Sequence, residues 1–115
     1  MIPGKTENEF KLKTGETKNV FGLYFKCLTL DPSPIKATAR LQVSADSRHK
    51  INIRKDMLFS FNTSKRFLYQ GNQYILEMKQ MKEEPVGLLG TQKEMVVTIR
   101  LIKMSNKVFV DLRKL

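Results

Sequence analysis

Polar and hydrophobic residues alternate along several short stretches of the chain, which predicts half-buried β-strands there. In residues 37–43 the apolar side chains fall on one face and the polar ones on the other. Residues 57–61 continue this alternation and place Met57 and Phe61 on the same face. Residues 72–80 also alternate, and we expect a strand there, although the composition of residues 75–81 suits a helix as well.

Two longer runs are apolar at nearly every position, which predicts central strands that are buried on both faces. They cover residues 19–30 and residues 94–104. Gly22 interrupts the first run, and we expect a bulge or a close backbone approach at that point.

Turn-forming residues separate these stretches at short intervals. Residues 14–15 and 70–72 are expected to close hairpins, residues 31–34 to end a strand, and residues 105–106 to lead into a last strand. We therefore predict a single all-β domain over residues 1–115, an antiparallel β-sandwich or partly open barrel of about eight or nine short strands. The same pattern allows this domain to be a fragment of a longer protein.

The longest connection predicted from the sequence covers residues 79–94. Within it Gly87 and Gly90 flank the apolar pair Leu88–Leu89. We expect this pair to plug the end of the core, and the alternative is an exposed anchor for a partner.

The formal net charge of the chain is +10, which is large for 115 residues. The excess is concentrated in residues 36–81, where nine Lys and Arg residues stand against three acids. Such an excess points to polyanionic partners and carries no information about the fold.

The segment "RHKINIRK", residues 48–55, lies inside this basic region. Alternation predicts a half-buried strand that directs His49, Ile51 and Ile53 inward. Lys50 and Arg54 would then face outward, together with Asn52. Whether the outward side contacts anything is left open by the sequence.

Basic residues and aromatic residues are interleaved between positions 48 and 69, as in proteins that hold single-stranded nucleic acid. We expect phosphate contacts from Arg48, Lys50, Arg54, Lys55, Lys65 and Arg66. Phe67 and Tyr69 share a face of one predicted strand and are the candidates for stacking on bases. The competing explanation places both rings in the core and leaves Arg66 solvated.

Few residues in the sequence could carry catalysis or bind a metal. His49 is the single histidine and Cys27 the single cysteine, so neither a catalytic triad nor a zinc site is expected. No glycine-rich phosphate loop or dinucleotide motif is present, and we predict no enzyme activity and no cofactor. The lone cysteine and the lack of a signal-peptide pattern suggest an intracellular protein, cytoplasmic or nuclear, with no membrane span.

The sequence therefore predicts a non-enzymatic, basic binding module. Its expected ligand is nucleic acid, either single-stranded DNA or RNA, bound through the surface of residues 48–69. The alternative is a protein–protein interaction or assembly domain, which would use a sandwich edge or the loop Val86–Gly90. In that case the positive charge would face acidic protein partners or serve solubility. The sequence does not predict the oligomeric state.

Overall fold

A computed structural model of the chain describes residues 5–61, 63–90 and 92–105. Within these residues the chain forms eight β-strands and no helix that could cross a membrane. The strands are β1 (Lys5–Lys13), β2 (Thr17–Val20), β3 (Leu23–Asp31), β4 (Thr38–Ser44), β5 (Asn52–Ser60), β6 (Lys65–Tyr69), β7 (Asn72–Val86) and β8 (Gln92–Ser105). The all-β prediction is confirmed.

The strands form two antiparallel four-stranded sheets, ordered β1-β8-β7-β6 and β2-β3-β4-β5. Read around the molecule, the strands follow their order in the chain. Hydrogen bonding between neighbours is interrupted at two places, between β1 and β2 and between β5 and β6. The fold is thus a flattened meander, a β-sandwich that is open along two seams.

The core lies between the two sheets and is built from the inward residues of the alternating strands. Phe25, Leu41 and Phe59 enter it from one sheet, and Leu76 and Ile99 enter it from the other. Each is at most 2% exposed, which confirms the inward positions predicted for Leu41, Phe59 and Leu76. The prediction that residues 19–30 are buried on both faces is wrong for β3, whose outer residues Tyr24, Lys26 and Leu28 are only half-buried.

The apolar run of residues 19–30 is not one strand with a bulge, as the sequence suggested. It folds into a hairpin of β2 and β3 with Phe21 and Gly22 at the turn. Both residues have positive φ, 54° and 80°, which is the conformation that a tight hairpin requires. The side chain of Asn19 accepts a hydrogen bond from the Gly22 amide at 3.1 Å and holds the turn.

The turn at Thr14–Gly15 was expected to close a hairpin, but the two strands that it joins lie in different sheets. The turn at Gln70–Gly71 does join β6 to β7 as predicted. The last predicted strand, after Ser105–Asn106, lies outside the described residues.

Residues 79–94 were predicted to be a loop, and this was wrong. They continue β7 and β8 as one long hairpin, paired as far as Val86 and Gln92. Residues 75–81, whose composition also suited a helix, lie in β7 and form a strand. Most side chains on both faces of the outer part of this hairpin are exposed, so polar and apolar positions do not alternate there and the pattern resembled a loop.

Candidate interaction surface at the β5–β6 seam

The seam between β5 and β6 forms a groove of about 420 Å³. We call this the seam groove; it is lined by Arg54, Asp56, Met57, Leu58, Lys65 and Arg66. β5 and β6 are the last strands of their sheets, so each has one edge that is not paired within its sheet. A single backbone bridge joins Ser60, at the end of β5, to Thr63. Apart from that bridge, the groove combines basic side chains with two strand edges that are not paired to each other.

All six cationic residues of the predicted binding surface are exposed. Arg54, Lys65 and Arg66 converge on the seam groove, whereas Lys55 is exposed on β5 without lining it. None of these four residues forms an ion pair with a carboxylate of the described residues. Their charge is therefore available to a ligand.

Asp56 is the acidic residue of the groove lining. Its carboxylate accepts a hydrogen bond from the Arg40 guanidinium at 2.8 Å. Since Arg40 already compensates this charge, Asp56 does little to neutralise the three cations around it.

The predicted stacking role of Phe67 is wrong. Its ring is 3% exposed and lies in the core, stacked on Tyr74 with the ring centroids 5.0 Å apart. Tyr69 is half-buried and packs against the same core. Alternation had correctly placed both rings on one face of the strand, but that face is the inner one. The explanation that put both rings in the core is the one that fits.

Arg48 and Lys50 lie in a loop of residues 45–51, and the strand predicted for them begins only at Asn52. The Asp46 carboxylate closes this loop by accepting hydrogen bonds from the backbone amides of Ile51 at 2.7 Å and Lys50 at 3.1 Å. These bonds hold the pKa of Asp46 below its usual range, with the Ile51 amide as the largest cause. Because the loop curls back on itself, Ile51 is exposed rather than inward.

His49 has a left-handed backbone, with φ of 57°, which is incompatible with a strand. Its imidazole lies 3.1 Å from the Ser44 hydroxyl and 3.3 Å from the Thr17 hydroxyl. The Ser44 hydroxyl donates its own proton to Asn52 at 3.0 Å, so we infer that Nδ1 of His49 carries a proton and donates it to the Ser44 oxygen. This network fastens the loop to the outer face of the sheet.

The proximity of Ser44 to His49 does not make a nucleophile. The Ser44 side chain is fully buried, and its proton is held by Asn52 rather than by a base. Among the described residues no three metal-binding side chains lie together.

Sequence reasoning missed the apolar part of the seam groove. Leu58 is partly exposed beside the cations. Phe61, which was predicted to share the inward face of Met57, is instead 47% exposed just after the end of β5 and does not line the groove. The position of Leu58 between the inward residues Met57 and Phe59 did indicate an outward side chain. The exposure of Phe61 had no such signal, because the chain leaves the strand at Ser60.

The chain was compared with protein-family models, with curated proteins and with solved structures, and none of these comparisons gave a match.

Proposed function

We propose that this protein is a non-catalytic interaction module that binds an extended acidic segment of a partner protein along the β5–β6 seam. The observation that carries the proposal is the convergence of Arg54, Lys65 and Arg66, from two different sheets, on one groove with free strand edges. An added strand would find backbone donors and acceptors on the edges and cations beside them.

The charge on these edges would also select the partner. Basic side chains on an edge strand discourage pairing with neutral or basic strands. An acidic segment is attracted by these basic side chains and not repelled. The same side chains that prevent non-specific pairing of the edge would therefore favour an acidic partner. Leu58 offers an apolar contact to alternate residues of the added segment.

Single-stranded nucleic acid is the second candidate. It is favoured by the further exposed cations Arg48, Lys50 and Lys55, which extend the basic surface along β5 and its preceding loop. Phosphate contacts would supply the affinity, with a strong dependence on salt. The burial of Phe67 removes the aromatic contact that would have favoured this ligand over an acidic peptide.

The test compares two labelled probes, a peptide of alternating Glu and Val and an oligothymidine, by fluorescence anisotropy. The triple variant R54Q/K65Q/R66Q is expected to weaken peptide binding by about tenfold or more, from three lost charge contacts. The matched control K5Q/K11Q/K13Q removes the same charge from β1 and should keep the affinity within about twofold. Equal losses in both variants would contradict the proposed site.

A second probe separates strand addition from simple charge attraction. N-methylation of alternate peptide amides removes backbone hydrogen bonds and leaves the charge unchanged. We expect the methylated peptide to bind much more weakly. Undiminished binding of that peptide, or tighter and more salt-dependent binding of oligothymidine, would favour the nucleic-acid candidate instead.

A further inference from the structure

The outer part of the β7–β8 hairpin projects past its neighbouring strand. β1 ends at Lys13, which is paired with Val96, so the pairs from Glu83–Met95 to Val86–Gln92 lack a third strand on that side. Gly87 and Gly90 both have positive φ, and the Gly90 amide donates to the Gly87 carbonyl at 3.3 Å to close the turn. The hairpin is a two-stranded ribbon with a tight tip.

The two side chains at the tip are the apolar pair Leu88 and Leu89. Leu88 is 105% exposed and Leu89 87% exposed, so the prediction that they plug the core was wrong. A pair of leucines held out in water at the end of a ribbon is unfavourable unless something covers them.

The size and shape of this tip favour a lipid surface over a protein. A stable protein interface buries about 800 Å² on each partner, which two leucine side chains fall far short of. A bilayer needs no complementary pocket, and it accepts apolar side chains at the level of its headgroups and upper acyl chains.

The charge near the tip is suited to anionic lipid. Lys82 and Lys93 are exposed on the two strands of the hairpin. Of the acids there, Glu84 is paired with Lys11 at 2.7 Å and Glu94 with Lys13 at 3.2 Å, so neither opposes an anionic surface strongly. Glu83 is exposed and forms no ion pair within the described residues, so it offsets one of the two lysines and leaves one net positive charge on this part of the hairpin. The formal charge of +10 on the whole chain would add attraction at longer range.

We propose that the β7–β8 hairpin is a reversible anchor for anionic membrane surfaces. Leu88 and Leu89 enter the boundary between headgroups and acyl chains. Lys93 lies about 10 Å behind the tip, at roughly 3.3 Å per strand residue, and meets the lipid phosphates. This surface is separate from the seam groove, so the anchor and the partner site would operate independently.

The test is co-sedimentation with vesicles of phosphatidylcholine alone and of phosphatidylcholine mixed with phosphatidylserine. Wild-type protein should bind the mixed vesicles. L88S/L89S should bind them at least about tenfold more weakly, because two apolar side chains are lost from the contact. The matched control I51S/L68S removes two exposed aliphatic side chains elsewhere and should bind like wild type, and circular dichroism should show that both variants are folded.

Three results would overturn the proposal. Wild-type protein could fail to bind mixed vesicles, or L88S/L89S could bind them as tightly as wild type, which would mean adsorption by charge alone. The third result is that wild type self-associates in gel filtration without lipid and L88S/L89S does not. The tip would then bind a second copy of the chain and not a membrane.

Discussion

The β1 edge and the β5–β6 seam each carry three cations, but only the cations of the β1 edge are paired with carboxylates. On β1 the cations have carboxylate partners: Lys5 pairs with Glu7 at 2.9 Å, Lys11 with Glu84 at 2.7 Å and Lys13 with Glu94 at 3.2 Å. At the β5–β6 seam, the three cations of the groove lack such partners among the described residues. Charge count alone would not distinguish these edges.

This difference shows why a basic composition is weak support for a binding site. A cation that already has a carboxylate neighbour must lose that contact before it can bind another anion. A cation without one gives its full interaction to the ligand. The seam groove is therefore the candidate site, and the β1 edge is its natural control.

The largest effect on stability is expected from removing the Phe67 ring, which is buried in the core and not exposed at the seam. Phe67→Ala should lower the free energy of unfolding by about 3–5 kcal/mol, because it leaves a cavity beside Tyr74. Phe61→Ala, at the exposed corner, should cost less than about 1 kcal/mol. Urea denaturation of both variants measures the difference. Similar losses would mean that the assignment of Phe67 to the core and Phe61 to the surface is wrong.

The second prediction concerns how firmly the turn at the β1–β2 seam is held against β3. Cys27 is fully buried, and its backbone hydrogen bonds with Gly15 and Glu16 fasten the turn between β1 and β2 to β3. Burial raises the pKa of its thiol from 9.0 to about 11. The thiolate fraction at neutral pH should thus fall by about a hundredfold.

Reaction with a thiol reagent such as DTNB measures this directly. The native protein should react slowly, and the protein in denaturant should react at the rate of a free cysteine. Rapid labelling of the native protein would show that the β1–β2 seam opens frequently. The β1 edge would then be less firmly held, and less different from the β5–β6 seam, than the structure indicates.

The smallest effect is expected from the ion pairs of the β1 edge. The Lys11 ammonium donates to Glu84 and holds the pKa of that carboxyl below its ordinary value of 4.5. Because the folded pKa is the lower one, the pair stabilises the fold above about pH 4.5, and this contribution is lost as the pH falls through the folded pKa.

Thermal unfolding of wild type and K11Q between neutral pH and pH 3 tests the assignment. K11Q should be only slightly less stable at neutral pH, since an exposed pair is weak in water, and the two proteins should converge in acid. A constant difference down to the lowest pH would mean that Lys11 stabilises the fold by packing and not by its charge. R66Q serves as the comparison and should show no such convergence.

The β-class of the fold, several strand faces and the position of the excess charge could all be predicted from the sequence. Alternation of period two sufficed to place Leu41 and Phe59 inward and to put Arg66 on the face opposite Phe67, because successive side chains of a strand point to opposite sides. It also placed Phe67 and Tyr69 together. These are local properties, and they do not depend on which strands become neighbours.

What lies beside each face depends on how the two sheets pack together. The tertiary structure turned the face of Phe67 and Tyr69 toward the core, brought Arg54 next to Lys65 and Arg66 across a seam, and gave Lys11 and Lys13 their acidic partners. It also converted the predicted loop around Leu88 into a projecting hairpin. Whether a charge is compensated and whether an apolar side chain is covered depend on residues that are distant in the chain, and for that reason the alternation pattern could not predict them.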